Sequence, residues 1–149
     1  NEYDRIGVNA FGNASGLIDV NSSQATDVIL AERLLNSSGL TDINTAGGDI
    51  RQIGATQLIK SREIDLRSEA GNSDIGSASQ AIRIDLQGGD LLAVARKDIY
   101  VEEIDGDLNL ELAYTGNQVS LIADRSLLDV NGDVTSVSGA FAQLIARNG

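Results

Sequence analysis

Gly-Asp followed by an aliphatic residue occurs four times in this chain, at Gly48-Asp49-Ile50, Gly89-Asp90-Leu91, Gly106-Asp107-Leu108 and Gly132-Asp133-Val134. The triplet reads as a turn that opens a strand. Glycine reaches positive φ without steric cost, aspartate accepts a hydrogen bond from a neighbouring backbone N–H, and the aliphatic residue begins a buried row. Gly48, Asp49, Gly89, Asp90, Gly106, Asp107, Gly132 and Asp133 are therefore expected to shape turns. Their separations of 41, 17 and 26 residues correspond to one or two turns of a coil about twenty residues long. The uneven spacing places them at more than one corner of an irregular coil.

Between these turns the aliphatics follow a period of two: Ile64 and Leu66; Ile82, Ile84 and Leu86; Ile99 and Val101; Leu108, Leu110 and Leu112; Val119, Leu121 and Ala123. That is the pattern of strands with one buried face. The intervening Glu63, Asp65, Arg67, Arg83, Asp85, Asp107, Asn109 and Glu111 fall on the solvated side. The best helical candidate, residues 27 to 36, is read as strand, because Asn36-Ser37-Ser38-Gly39 closes it as a turn would. Residues 1–46 are less regular and are expected to form the first, looser coils or a cap.

The chain of 149 residues is one domain by size. The expected fold is all-β: a right-handed parallel β-helix with coils of roughly 17–20 residues. Seven or eight such coils would give a rod on the order of 35 Å long. Stacking Ile64 on Ile82 and Leu66 on Ile84 sets Asp65 beside Arg83 and Arg67 beside Asp85, and this charge pairing favours that register. Ile82 on Ile99 and Ile84 on Val101 extend the same ladder. Open coil ends are raw strand edges, and the expected partners are neighbouring coils of one large protein or copies of the chain itself. The start at Asn1 without any Met points the same way, to a piece of a longer protein.

Composition narrows the function. Cys, Met, His, Trp and Pro are all absent, which removes disulfides, thiolate or imidazole metal sites and every His-dependent triad. A net charge of −11 makes nucleic acid and anionic membranes poor partners. No apolar run approaches the ~20 residues that span a bilayer, so membrane insertion is not expected.

Three phrases carry a resemblance. They are Ile64-Asp65-Leu66-Arg67-Ser68-Glu69-Ala70-Gly71 leading to Asp74-Ile75-Gly76, Asp98-Ile99-Tyr100-Val101 leading to Gly106-Asp107-Leu108-Asn109-Leu110, and Val119-Ser120-Leu121-Ile122-Ala123 leading to Ser126-Leu127-Leu128-Asp129. Over residues 47–135 the chain resembles the repeat regions of giant bacterial surface proteins related to filamentous haemagglutinin-type adhesins. The resemblance implies a right-handed β-helical stalk or adhesin repeat, secreted or on the cell surface, with a host or neighbouring cell as a further partner. It transfers no functional residues. The secretion-directing N-terminal region of a haemagglutinin has no counterpart here.

The expected role is thus structural or adhesive, without catalysis or an obligate cofactor. The alternatives are a filament or sheath subunit stacking end to end, a β-sandwich binding module, disfavoured by the missing Trp, and a carbohydrate-active β-helix enzyme. For the enzyme, Asp65 with Asp85 or Asp107 with Glu111 would be the paired carboxylates, but aromatic platforms and basic groups are scarce, with Lys60 and Lys97 the only lysines. Asp105, Asp107, Asn109 and Glu111 alternate along one strand with oxygens that suit calcium; side chains on a straight strand run parallel rather than converging, so a solvated acidic face is the preferred reading. The Gly-rich nonapeptide of calcium-binding β-rolls is absent. Tyr100 and Tyr114 are expected to point outward. Asn13-Ala14-Ser15, Asn21-Ser22-Ser23 and Asn36-Ser37-Ser38 match the N-glycosylation pattern and are read as turn residues.

Overall fold

The aliphatic rows condense into short strands joined by tight corners, and no helix occurs among the described residues. The computed structural model describes residues 5–6, 16–132 and 134–149. In chain order the strands are β1 (Arg5–Ile6), β2 (Leu17–Ser22), β3 (Val28–Leu30), β4 (Leu34–Thr45), β5 (Ile50–Gln52), β6 (Ile59–Ser68), β7 (Ile82–Leu86), β8 (Leu91–Ala95), β9 (Asp98–Glu103), β10 (Leu108–Tyr114), β11 (Gln118–Ala123), β12 (Leu127–Asp129), β13 (Val137–Ser138) and β14 (Phe141–Ala146). Every strand pairing is parallel. Parallel partners far apart in sequence, visited in order, make a β-solenoid of about 6 turns.

Three faces share the coil. The first stacks β1, β3, β5, the isolated bridges of Ile75, then β9, β11 and β14. The second stacks residues 34–36, 59–61 and 84–86. The third stacks β2, the second half of β4, the second half of β6, β8 and β10, and ends on β12 and β13.

Inward side chains form columns that run the length of the rod. One is Val28, Ile50, Ile75, Ile99 and Val119; another is Val20, Ile43, Leu66, Ala93, Ala113 and Val137. Ile50, Ile75, Ile99, Ile43, Leu66 and Ala93 are fully buried. Each buried Ile or Leu contributes about 1.5–3 kcal/mol, and the β-branched side chains suit a pleated surface packed on both neighbours. The preference for strand over helix at residues 27–36 holds, since β3 and the start of β4 occupy that stretch.

The coil is longer than expected. Thr41 stacks on Ile64 after 23 residues, Ile64 on Leu91 after 27, and Leu91 on Leu110 after 19. The third face accordingly has six rungs rather than seven or eight, and at ~4.8 Å per rung the rod is nearer 25 Å than 35 Å. The register expected around Ile64 also fails. Ile64 pairs with Leu91 and Leu66 with Ala93, while Ile84 pairs with Ile59. Further along, Ile82 pairs with Val101 and Ile84 with Glu103, two residues from the expected ladder. The cause is the excursion between β6 and β7, which holds an extra turn with positive φ at Gly71 and Gly76. Charge pairing between adjacent strands has no leverage when the segments lie on different faces.

Two further departures are local. A register shift between Leu110 and Leu112 turns Ala113 inward and leaves Leu112 only half-buried. Asn36-Ser37-Ser38-Gly39 does not close a strand but lies inside β4, where a register shift takes the corner. Gly39 is obligatory there, because a Cβ would sit 1.9 Å from the Gly16 carbonyl oxygen.

Candidate functional site

Each time the chain rounds the corner from the third face to the first, an aspartate precedes the β-branched residue that opens the first-face rung. Asp27-Val28, Asp49-Ile50, Asp74-Ile75 and Asp98-Ile99 lie one coil apart, and Gln118-Val119 takes the next place. Their carboxylates form a staircase. Oδ1 of Asp27 accepts the N–H of Asp49 at 3.0 Å, that of Asp49 the N–H of Asp74 at 2.9 Å, and that of Asp74 the N–H of Asp98 at 3.0 Å. Asp98 Oδ1 accepts from the Gln118 N–H at 3.1 Å and from Asn117 Nδ2 at 2.6 Å.

The backbone carbonyls of the same aspartates accept from the coil before: Val28 N–H donates to Asp49 O, Ile50 N–H to Asp74 O and Ile75 N–H to Asp98 O, at 2.8 to 2.9 Å. Two cations take the outer oxygens. The Arg51 guanidinium lies 3.0 Å from Asp27 Oδ2 and 2.6 Å from Asp49 Oδ2. Lys97 Nζ lies 3.4 Å from Asp74 Oδ2 and 3.6 Å from Asp98 Oδ2, and Asp74 in particular holds its ammonium pKa above the ordinary value. The like charges of the stack are thereby met by directed N–H groups and by bridging cations. The sequence does not announce Asp27, Asp74 and Asp98 as corner residues, because only Asp49 follows a glycine; the repeating unit is Asp before Val or Ile.

Hydroxyls complete the corner on its inner side. Thr45 Oγ1 accepts the N–H groups of Gly47 and Gly48, at 3.2 and 2.8 Å, and Ser68 Oγ donates to Gly48 O at 2.5 Å. Gly48 itself is needed for proximity, since a Cβ would lie 2.0 Å from Thr26 O.

The Gly-Asp triplets occupy two corners, as the spacing required. Asp49 sits at the staircase, whereas Gly89-Asp90 and Gly106-Asp107 precede third-face strands, and Asp107 Oδ1 accepts the Ser126 N–H of the next coil at 3.0 Å. The Asp49 and Asp107 side chains thus bind the neighbouring coil rather than their own turn, and Asp90 does so through its backbone carbonyl, which accepts the Ile64 N–H at 3.0 Å. The positive φ expected of the glycines occurs at Gly106 and Gly132 only. Gly89, like Gly48, is a proximity glycine, with a Cβ position 2.2 Å from Arg62 O. Ile50, Leu91 and Leu108 open buried rows, but Val134 is 64% exposed and opens none. Asp133 lies outside the described residues, as do Tyr3, Phe11 and Asn13.

The calcium candidates do not converge. Asp107 is engaged with Ser126, Asn109 Nδ2 donates to Gly89 O at 2.8 Å, and Asp105 and Glu111 are exposed. Among the described residues no three acidic side chains gather as a metal-holding group. Of the carboxylate pairs considered for glycoside chemistry, Asp65 and Asp85 are apart, on the third and second faces, and Asp107 is engaged with Ser126. Asp85 is not on a solvated side. It is buried, and Lys60 Nζ binds its Oδ2 at 2.6 Å. Burial raises the Asp65 pKa, with Asp42 stacked directly beside it, against the pull of Arg67. Tyr100 and Tyr114 do face outward, Tyr114 being 52% exposed. Asn36 is buried and bonds Gly16 O and Leu40 O, as a structural residue.

Among the described residues one acidic side chain is completely enclosed. Glu103 continues the second-face column of Leu34, Ile59 and Ile84 and is fully buried. Its Oε2 accepts the Leu86 N–H at 2.8 Å and its Oε1 the Asp105 N–H at 3.0 Å. Burial pushes its pKa up to about 7, outweighing those two bonds. The alternation Ile99, Val101, Glu103 signals this inward position in the sequence.

A groove of about 360 Å³ runs beside the staircase, lined by Gly71, Asn72, Arg96, Lys97, Tyr114 and Asn117 among others. No protein-family model, curated protein or solved structure matches the chain.

Proposed function

We propose that this chain is a non-catalytic β-solenoid segment of a large bacterial surface protein, serving as a stiff stalk that displays adhesive surface along its sides. The observation that carries the reading is the staircase at Asp27, Asp49, Asp74 and Asp98, where each coil is bound to the next by side chain as well as by backbone. Such redundancy stiffens a rod along its axis. It leaves these carboxylates committed to neighbours and unsuited to proton transfer. The phrases that resemble filamentous haemagglutinin-type repeats lie on β6, β9, β10 and β11, and that resemblance supports an extracellular location.

A second reading, a subunit that stacks end to end, draws on the last rung. Every residue of β14 is exposed, including Leu144, which extends the inward column of Val101 and Leu121. Beside it Leu110, Leu127, Leu128 and Val137 line a hollow of about 160 Å³. Sedimentation over a range of concentrations separates the two. A stalk segment gives one elongated species with an unchanging coefficient; growth into fibres with concentration would overturn the stalk reading in favour of the filament.

A further inference from the structure

We infer that the groove at the corner between β8, β10 and the loop after β6 is a binding site for a carboxylate-bearing saccharide, an inference that rests on the adhesive part of the function proposed above and names its ligand class. The site begins with a difference in corner length. Between β6 and Asp74 the chain makes an excursion through residues 69–73, whereas only Arg96 and Lys97 separate β8 from β9, and residues 115–117 separate β10 from β11. The long corner stands beside two short ones and forms a step. Gly71, at φ +68°, turns its crest, and Gly116 thins the floor, where a Cβ would press on Arg96 O at 3.1 Å.

The chemistry of the lining is unlike the rest of the molecule. In a chain of 22 acidic and 11 basic residues, no carboxylate lines this groove. Lys97 is held by Asp74 and Asp98. Arg96 is exposed and makes no ion pair among the described residues. A guanidinium presents parallel N–H donors that match a carboxylate in bidentate fashion. Tyr114, on the next coil, offers an exposed ring whose apolar face and polar tip suit the alternating character of a pyranose. Asn72 is exposed on the crest, and Asn117, anchored to Asp98 by its amide nitrogen, stands at the floor. Amides of this kind exchange hydrogen bonds with sugar hydroxyls in either sense. The volume lies within the ~300–1,000 Å³ of small-ligand clefts, enough for one or two sugar residues. An unpaired guanidinium beside an aromatic ring, on a molecule of net negative charge, favours an anion that carries its own hydroxyls over a bare anion.

The test titrates the 149-residue chain with trigalacturonate, its fully methyl-esterified form, and an acetylated tripeptide with a free C-terminal carboxylate, followed by amide and guanidinium NMR shifts. The expected result is saturable binding of trigalacturonate with shifts confined to residues around Arg96, Tyr114 and Asn72, and affinity lowered about tenfold or more by the ester. R96Q is expected to weaken binding by a similar factor of about ten and R96K by less, because only the fork geometry is lost. Y114A weakens it and Y114F retains most of it. Equal binding of the ester, binding of the tripeptide in preference to the saccharide, or no shifts up to about 10 mM ligand would each overturn the inference. None of these outcomes touches the stalk reading, which stands or falls on sedimentation.

Discussion

Glu103 makes the stability of this rod depend on pH in a direction opposite to that of a salt-bridged carboxylate. The side chain is fully buried in an aliphatic column and its pKa is pushed from 4.5 to about 7. The folded state therefore holds a proton that the unfolded state releases. Stability from this group is complete below pH 4.5 and is lost progressively as pH rises to about 7. A rise of that size, at about 1.4 kcal/mol for each tenfold change in proton affinity, sets an upper figure of about 3 kcal/mol. Asp85 and Asp105 face the carboxyl and push the same way, while the Leu86 and Asp105 N–H groups oppose them. The net charge of −11 also destabilises the fold as carboxylates ionise, so wild type alone does not isolate the effect. Glu103→Gln does, since glutamine keeps one acceptor and the side-chain shape without titrating. Urea unfolding followed by circular dichroism, at steps from pH 4.5 to 8, gives the difference in stability between the two proteins. That difference should shift by about 2–3 kcal/mol in favour of the variant across the window. A difference that stays flat with pH would refute the placement of an ionisable carboxyl in this column.

Two substitutions probe the corners. Asp74→Ala removes the acceptor of the Asp98 N–H and one partner of Lys97; it should lower the urea midpoint by the equivalent of about 1–3 kcal/mol, while Asp74→Asn, which keeps an acceptor oxygen, should cost less than half as much. Gly48→Ala places a Cβ 2.0 Å from Thr26 O and should cost about 3 kcal/mol or more, or prevent folding, whereas Gly88→Ala meets nothing within 4 Å and should cost only about 1–2 kcal/mol for its positive φ. Equal losses at Gly48 and Gly88 would remove the distinction between proximity and conformation.

The period-two rows made the strands legible because burial on one face of a pleated strand leaves a direct trace in the sequence. Ile64, Leu66, Ile82, Ile84, Ile99, Val101, Val119 and Leu121 are all buried where alternation placed them. Coil length left no such trace. Which rung lies under which is decided by how many residues each corner consumes, and these loops are tolerant of insertion. The excursion after β6 therefore moved Ile64 onto Leu91 instead of Ile82. The staircase was half visible. Asp49 announced itself through Gly48, but at Asp27, Asp74 and Asp98 the preceding residues are Thr26, Ser73 and Lys97, so the glycine was a feature of one corner and the aspartate of all four. Arg96 and Tyr114 share a groove only because two coils of different length bring residues 18 apart onto one step, and no linear motif encodes that.

This division has a consequence for how the fold can vary. The columns of Ile, Leu and Val and the aspartates that bind coil to coil tolerate little change, because each member is held from both sides and a void or an unpaired N–H propagates to two neighbours. Corner length is free by comparison. A long corner beside two short ones raises a wall and opens a groove outside the stacked columns, and some residues placed there, such as Arg96 and Asn72, are released from structural duty. Arg96 beside Lys97, which bridges Asp74 and Asp98, shows both conditions on adjacent residues. The lateral steps, rather than the stacked core, are where a solenoid of this kind gains a surface of distinct chemistry.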